Sequence, residues 1–225
     1  MSQVKGHKTL ANEDIRKMLV ARSQVGTRKC NINIKPYIAG RRPDGIHIFD
    51  VSKTWEKIVL AARVLATIAN PSDVAVVASR VYAQRATHKM CHYLGFKSFA
   101  GRFMPGTFTN RMIPDFIEPR VIIVNDPWLD KQAVSEAAYS NTPVIAFVTS
   151  ESPMENVDIA IPCNNRGKES IGLMYWLLSR EVLRIKGKLK KDDAWIIPDM
   201  FVHMDQEELE RCMREDETAM EAAAQ

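Results

Sequence analysis

The strongest constraint on the fold of this chain is an alternation of short apolar strands and helices after residue 73. The runs 74–79 and 144–149 are apolar at almost every position, which predicts strands that are buried on both faces. A helical pattern follows the first run, at residues 82–94, and another precedes the second run, at residues 129–140. Apolar strands that alternate with helices form parallel sheets covered on both sides. We therefore expect an α/β fold, a doubly wound sandwich of three layers.

Further elements extend this pattern toward both ends of the chain. They are the helices 12–20, 51–69 and 168–185, the strands 99–103, 120–125 and 158–162, and a hairpin of residues 36–39 and 46–50. The Asp44-Gly45 turn predicts the hairpin. Asn70-Pro71 is expected to end the helix before it, because the position before proline resists the α conformation.

The last 39 residues differ in composition from the rest of the chain. Residues 195–201 are predicted to form an apolar arm that packs back on the body. Residues 205–219 are predicted to form an acidic helix, with Asp205 as its N-cap and carboxylates in its first turn. We expect one α/β domain in residues 1–186 and a C-terminal arm and acidic helical tail in residues 187–225, because domains usually have about 100–200 residues.

Charge is distributed unevenly along the chain. Residues 1–120 contain 20 Lys or Arg against 8 Asp or Glu, whereas residues 201–225 contain 2 against 8. A basic first half predicts a surface for a polyanion, and the acidic tail is expected to point elsewhere.

The cysteines and the apolar runs indicate the compartment. The four cysteines are scattered without a Cys-x-x-Cys pair, which disfavours a disulfide framework or a zinc ribbon and favours a reducing compartment. The first residues lack the apolar stretch of a signal peptide, and the longest apolar runs are too short to cross a bilayer. We expect a soluble cytoplasmic protein that does not bind membranes.

Enzyme motifs are missing from the strand ends, where an open parallel sheet binds its ligands. The sequence has no Gly-x-Gly-x-x-Gly and no Gly-x-Ser-x-Gly. The segment at Arg166 faintly resembles a P-loop, but Pro162 replaces its first glycine and Glu169 replaces the hydroxyl that would bind magnesium. We predict no catalytic residue, no cofactor and no small-molecule substrate.

Two other groups of polar residues have structural explanations. His88, Cys91 and His92 have helical spacing and could approach one metal ion, but further ligands at suitable spacing are missing, so we predict no metal site. Carboxylates that follow strands commonly cap the next helix or turn. We expect this role for Asp50, Asp126 and Asp158.

Basic, hydroxyl and glycine residues instead follow the strands. Such residues can bring cations and backbone N–H groups close to phosphate oxygens. We therefore favour RNA contact over a merely solvated surface for this region. The candidate RNA-binding residues are Arg41, Arg42, Ser79, Arg80, Arg85, Arg102, Gly106, Thr107, Thr109, Asn110 and Arg111.

Two further features have alternative interpretations. Phe103 and Phe108 could stack on an unpaired base or pack within the loop or the core. A second basic stretch could contact RNA or form a solvated helix end, where cations are favourable. Its members are Arg180, Arg184, Lys186, Lys188, Lys190 and Lys191.

A series of longer motifs runs through residues 10–205. It includes Arg42-Pro-Asp-Gly-Ile-His-Ile-Phe-Asp50, Ala100-Gly-Arg-Phe-Met-Pro-Gly-Thr-Phe-Thr-Asn110 and Val157-Asp-Ile-Ala-Ile-Pro-Cys-Asn-Asn165. In content and order these motifs resemble the eukaryotic ribosomal protein SA family. That family is also called laminin-receptor-like and is the counterpart of the second small-subunit protein of bacteria.

The resemblance implies a flavodoxin-like (Rossmann-like) body without an active site, in the small ribosomal subunit of the cytoplasm. It implies contacts with small-subunit rRNA and neighbouring ribosomal proteins, and a need for the protein in subunit assembly and rRNA 3′-end maturation. Other ribosomal proteins are basic, so an apolar arm and an acidic helix suit protein contacts better than RNA. The candidate protein-partner residues are Trp195, Ile196, Ile197, Met200, Phe201, Glu207 and Glu208.

The sequence departs from the family pattern in two places. Gln24-Val-Gly26 stands where the family usually has His-Leu-Gly, and the long acidic tail with repeated tryptophan motifs of animal members is absent. Residues 161–180 resemble a stretch associated with laminin binding, but without that tail or a secretion signal we do not expect a surface receptor. The alternatives are a phosphosugar- or nucleotide-handling enzyme on the same fold and an extra-ribosomal laminin-binding role.

Overall fold

The computed structural model describes residues 12–190, 193, 195–205, 208 and 211. The helices are α1 (Asn12–Val20), α2 (Val51–Thr67), α3 (Val81–Leu94), α4 (Lys131–Tyr139) and α5 (Lys168–Ile185). The strands are β1 (Ile38–Arg41), β2 (His47–Phe49), β3 (Val74–Ala78), β4 (Lys97–Ala100), β5 (Val121–Val124), β6 (Val144–Val148) and β7 (Ile159–Pro162). No helix among the described residues is both long enough and apolar enough to cross a membrane.

The central sheet has five parallel strands in the order β4-β3-β5-β6-β7. Counted along the chain this order is 2-1-3-4-5, the arrangement of flavodoxin-like doubly wound sheets. Every residue of β3, β5 and β6 is buried, as their continuous apolar sequences predict. The predicted three-layer α/β fold is confirmed.

The two faces of the sheet are covered by different structures. On the first face, side chains such as Val76, Ile123 and Phe147 pack against α2, α3 and α5. On the second face, side chains such as Val77 and Val124 pack against α4 and against irregular segments. These segments are the loop of residues 101–120, between β4 and β5, and the connection of residues 149–158, between β6 and β7.

The hairpin lies at the carboxyl ends of β6 and β7. Strands β1 and β2 pair antiparallel, and Gly45 in their turn has a φ of +82°, which favours glycine. Thr54, in the first turn of α2, donates a hydrogen bond to the Pro162 carbonyl at 2.7 Å. The amide of Thr27 donates to Ser150 Oγ at 2.8 Å. These contacts hold the N-terminal segment against the edge of the sheet.

The apolar arm packs back on the body, as predicted. Trp195 stacks on Trp176 of α5 with ring centroids 5.6 Å apart, and the indole N–H of Trp176 donates to the Ile196 carbonyl at 2.6 Å. The main chain of Val202 would lie only 3.0 Å from a Cβ at position 172, so Gly172 permits this close approach. The predicted acidic helix 205–219 lies mostly outside the described residues.

Four predicted elements have a boundary that is wrong by more than one residue, for local reasons. The first hairpin strand, predicted at residues 36–39, runs from Ile38 to Arg41, because Pro36 and Tyr37 end a short 3-10 helix. The strand predicted at residues 99–103 runs from Lys97 to Ala100, because Gly101 adopts a φ of +93° that cannot continue a strand. The helix predicted through residue 69 ends at Thr67, since Ile68 is already extended. Helix α4 begins at Lys131 rather than at residue 129, because Asp126 and Asp130 organise the preceding turn.

Candidate nucleic-acid interface

Charged side chains fill the crevice at the carboxyl ends of β3 and β5. Arg80 Nη2 lies 2.8 Å from Asp126 Oδ2, and the Ser79 amide donates to Asp130 Oδ1 at 2.9 Å. The strand order reverses between these two neighbouring strands, and doubly wound sheets bind ligands at that point. In this chain the crevice is therefore occupied by its own ion pair, which does not resemble the open site of an enzyme.

The ion pair also changes the part that Arg80 can play. The Asp126 side chain is 6% exposed, so its charge is compensated by Arg80 rather than by water. Beside it, burial raises the pKa of Asp130, and the hydrogen bonds from Ser79 act in the opposite direction. Ser79 and Arg80 thus stabilise this edge of the sheet, and the charge of Arg80 is already balanced.

The loop between β4 and β5 is organised by a buried carboxylate of α4. Glu136, which is 4% exposed, accepts hydrogen bonds from the Gly106 amide at 2.7 Å and the Phe108 amide at 3.3 Å. Gln132 donates to the same carboxylate at 2.9 Å. Thr107 is buried and donates to the Met104 carbonyl at 2.7 Å. Gly106 and Thr107 therefore serve the internal structure of the loop.

The aromatic side chains of this loop belong to the core. Phe103 and Phe108 are 7% and 3% exposed, and their ring centroids lie 5.0 Å apart. Phe99 packs against both rings at 6.4 and 6.1 Å. Of the two alternatives, packing within the core is confirmed for both rings, because almost none of their surface is exposed.

The remaining basic and polar candidates at the hairpin and the loop are accessible. Arg41, Arg42, Arg102, Thr109, Asn110 and Arg111 are all exposed. The side chain of Arg41 is ordered by a hydrogen bond from its Nε to the Gly45 carbonyl at 2.9 Å. Arg111 pairs with Glu118 at 3.0 Å, but both side chains are largely in water, so this pair contributes little to stability.

Arg85 lies apart from these residues. It is in the second turn of α3, and its Nε donates to the Met200 carbonyl of the arm at 3.3 Å. From the sequence, Arg85 is expected beside Arg80, because both follow β3. The structure instead assigns it to the outer flank of α3.

The first two members of the second basic stretch, Arg180 and Arg184, form ion pairs within the protein. Arg180 donates two hydrogen bonds to Asp14 of α1, at 2.8 and 2.7 Å, and both side chains are less than 8% exposed. Glu181 lies 3.3 Å from Arg180 Nε and 2.8 Å from Arg184 Nη1. Arg180 is therefore unavailable to RNA, which corrects that interpretation. Lys191 lies outside the described residues.

The candidate partner residues of the arm divide into two groups. Ile197 and Met200 are exposed, whereas Trp195 and Ile196 are half-buried against the body. Phe201 has no exposed surface and belongs to the core, so packing within the chain explains its apolar character. Glu208 pairs with Lys168 at 2.8 Å, and Glu207 lies outside the described residues.

Local geometry decides between the alternative roles of the aspartates that follow strands. It does the same for the group of His88, Cys91 and His92. Asp50 accepts from the Ser52 amide at 3.0 Å and caps α2, and Asp158 accepts from the Val144 amide at 2.8 Å. The predicted capping role is confirmed for Asp50, and Asp126 holds a turn by accepting from the Trp128 amide. For Asp158 the prediction is wrong, because its partner is the first amide of β6. Cys91 is buried in the core, whereas His88 and His92 are exposed, and no three His, Cys, Asp or Glu side chains in the described part of the chain are placed to hold a metal ion.

One exposed aromatic residue that follows β5 is not among the candidates that the sequence predicts. Trp128 is 66% exposed, and its amide donates to Asp126 Oδ1 at 3.1 Å. It lines a groove of about 510 Å³ with residues of α4 and of the β6–β7 connection, including Lys131 and Pro153. The signal in the sequence is Asp126-Pro127 directly after a buried strand, because this turn places the next side chain at the edge.

Comparisons with known proteins give this geometry a context. The chain matches the family model of ribosomal protein S2 over residues 18–115 and 115–184. It is 50% identical over 214 residues to small ribosomal subunit protein uS2 of Aedes aegypti, which covers 95% of this chain and 73% of that protein. It is 48% identical over 216 residues to uS2 of Komagataella phaffii, covering 95% of this chain and 82% of that protein. For uS2B of Saccharomyces cerevisiae the identity is 49% over 214 residues, covering 94% and 85%. The chain belongs to the ribosomal protein S2 family.

Proposed function

We propose that the chain is a structural constituent of the small ribosomal subunit in the cytosol, bound to small-subunit rRNA and to neighbouring ribosomal proteins. The observation that carries this proposal is near-50% identity to small-subunit proteins along about 95% of the chain. The filled crevice supports a structural role, because the place where this fold binds small molecules is occupied by Arg80 and Asp126.

The proposed RNA surface consists of the hairpin and the exposed part of the β4–β5 loop. Arg41 and Arg42 lie in and beside β1, and Arg102 directly follows β4. Exposed arginines donate paired hydrogen bonds to phosphate oxygens. Trp128 offers the stacking platform that Phe103 and Phe108 do not, because its ring is largely exposed on a turn fixed by Asp126.

The proposed protein surface is the outer side of the arm. Ile197 is 65% exposed and Met200 is 40% exposed, while their neighbours anchor the arm to α5. An exposed apolar patch on a rigidly held segment is typical of a protein contact.

We also propose that the chain is required for subunit assembly and rRNA 3′-end maturation, as its family resemblance implies. Depletion of the protein should then lower the level of free small subunits and accumulate an unprocessed 3′ precursor. Normal precursor levels during depletion would contradict this part of the proposal.

The proposal is tested by sedimentation of a cell lysate through a sucrose gradient. The protein should migrate with small subunits, monosomes and polysomes, and should stay with small subunits when magnesium removal splits the monosomes. A known small-subunit protein and a known large-subunit protein provide the matched controls. Finding nearly all of the chain in the light fractions would contradict the proposal.

A further inference from the structure

The exposed stripe of α3 is basic from Arg85 to His92. The helix contains no Asp or Glu, and its four basic residues form pairs three or four residues apart: Arg85 with His88 and Lys89, and His92 with His88 and Lys89. Residues at these spacings share one face of a helix. All four are at least partly exposed, in contrast to the apolar face of the same helix, which is buried.

These side chains line one shallow groove of about 560 Å³. Its walls are Gln84, Arg85, His88, Lys89, His92 and His203. The hydrogen bond from Arg85 Nε to the Met200 carbonyl fixes the guanidinium group at one end. At the same end, His203 Nε2 lies 3.4 Å from the exposed carboxylate of Asp205.

The end of α5 adds two more cations beside the C-terminal end of α3. Lys186 Nζ lies 5.8 Å from the ring centroid of Phe96, which directly follows α3 and Gly95. Burial lowers the pKa of Lys186, and the neighbouring charge of Lys188 lowers it further. Like charges held close together repel each other, and a bound polyanion relieves this repulsion.

We propose that this α3 stripe is a second RNA-binding surface, which contacts the phosphate backbone of small-subunit rRNA. The inference rests on the proposed function and adds a surface apart from the hairpin and the β4–β5 loop. Arg, Lys and His side chains all donate hydrogen bonds to phosphate oxygens. From Arg85 to His92 the helix advances seven residues, about 10 Å, which gives the stripe room for more than one phosphate.

Two observations favour RNA over an acidic protein segment as the occupant. The first is the path of the acidic tail. Glu208 pairs with Lys168 at the start of α5, at 2.8 and 3.1 Å. At this residue the tail lies against α5 and does not line the α3 groove. The second is composition, because all six residues that line the groove carry amide, guanidinium, ammonium or imidazole groups. The core of a protein interface is usually depleted of charged residues and enriched in aromatic residues and methionine.

The test is equilibrium binding of the full-length protein to deproteinised small-subunit rRNA at several salt concentrations. Lys89→Ala should reduce the slope of log affinity against log salt by about 0.9 and weaken binding about fivefold near 0.15 M salt. His92→Ala is a second variant on the same stripe, and we expect it to weaken binding in the same direction. The control is Arg120→Ala, which also removes one cation but directly precedes β5, where the exposed Arg120 side chain lies 3.7 Å from Asp73.

An unchanged slope for Lys89→Ala, with a folded protein by circular dichroism, would overturn the inference. So would a slope that falls equally for Arg120→Ala, because the effect would then reflect total charge. If Lys89→Ala kept its RNA affinity but left the small subunit, the occupant would be an acidic protein and the inference would be wrong. Sedimentation of the unaltered chain is the control for the proposed function. If the proposed function were wrong, the unaltered chain itself would stay in the light fractions.

Discussion

The two faces of the parallel sheet are covered in different ways. On the first face, α2, α3 and α5 contribute a large apolar core, in which Phe147 and Tyr175 lie 4.9 Å apart with almost no exposure. On the second face, α4 shares the cover with the loop of residues 101–120, whose buried aromatic rings replace a helix.

This difference shows what a loop requires in order to pack on a sheet in place of a helix. A helix satisfies its own backbone hydrogen bonds, whereas a buried loop needs partners for its amides. Glu136 supplies them by accepting from Gly106 and Phe108. The loop can then bury its aromatic residues on one side and present Arg102 and Arg111 on the other. The buried side chains of the helical face form the larger core, and we propose that the exposed side of the loop binds a polyanion.

The largest effect is expected on the helical face, for Arg180→Met. The substitution leaves the buried Asp14 carboxylate without its partner and leaves Glu181 paired with Arg184 alone, which should lower the free energy of unfolding by about 3–5 kcal/mol. Urea unfolding measures this change. The double variant with Asp14→Leu should recover part of the loss, and a single-variant loss below about 1 kcal/mol would mean that the pair behaves like an exposed one.

On the loop face, Glu136→Ala should lower the free energy of unfolding by about 2–4 kcal/mol, because two buried amides lose their acceptor. Amide hydrogen exchange should accelerate in residues 101–118 before it does so in β3 or β5. The control is Glu118→Ala, which removes an exposed carboxylate of the same loop and should change stability by less than about 1 kcal/mol. Uniform acceleration over the whole sheet would contradict a separately held loop.

Gly172→Ala should lower the free energy of unfolding by about 1–3 kcal/mol, because it disturbs the packing of the arm on α5. The new Cβ would lie 3.0 Å from the backbone of Val202, so the arm must shift away from α5. The change should appear in tryptophan fluorescence, because Trp195 of the arm stacks on Trp176 of α5 in the unaltered protein. Gly40→Ala is the matched control, since a Cβ there meets nothing within 4 Å. Equal effects of the two variants would argue against close packing of the arm.

The smallest effect is expected for Arg102→Ala, and it is a loss of RNA affinity. Loss of one phosphate contact should reduce the salt slope by about 0.9, with a change in affinity of about 1 kcal/mol at 0.15 M salt. Folding stability should hardly change, because Arg102 is exposed. If the slope stayed that of the unaltered protein, Arg102 would belong to the solvated surface rather than to the RNA interface.

Local patterns were sufficient to predict most elements of the fold. The helix 168–185 was predicted at its observed bounds, and Gly95 ends α3 in the left-handed conformation expected for a C-cap glycine. The continuous apolar runs predicted a parallel sheet because burial on both faces demands them. These predictions depend on neighbours in sequence, which a single chain displays directly.

The site was harder to predict because its contacts join distant parts of the chain. Arg80 meets Asp126 only because β3 and β5 become neighbours, and Arg180 meets Asp14 across 166 positions. A sequence shows that such residues are charged, but it does not show which charges are already paired. Phe103 and Phe108 illustrate the same difficulty, since burial against each other depends on the path of the loop.

The most direct test of the central claim is electron cryomicroscopy of small subunits purified from cells that produce this chain. The account predicts the chain bound to the subunit, with rRNA phosphate oxygens within about 3.5 Å of the guanidinium groups of Arg42 and Arg102. The β4–β5 loop should keep its hydrogen bonds to Glu136. Subunits without the chain would contradict the proposed function, and a bound chain with both arginines facing solvent would contradict the proposed RNA interface.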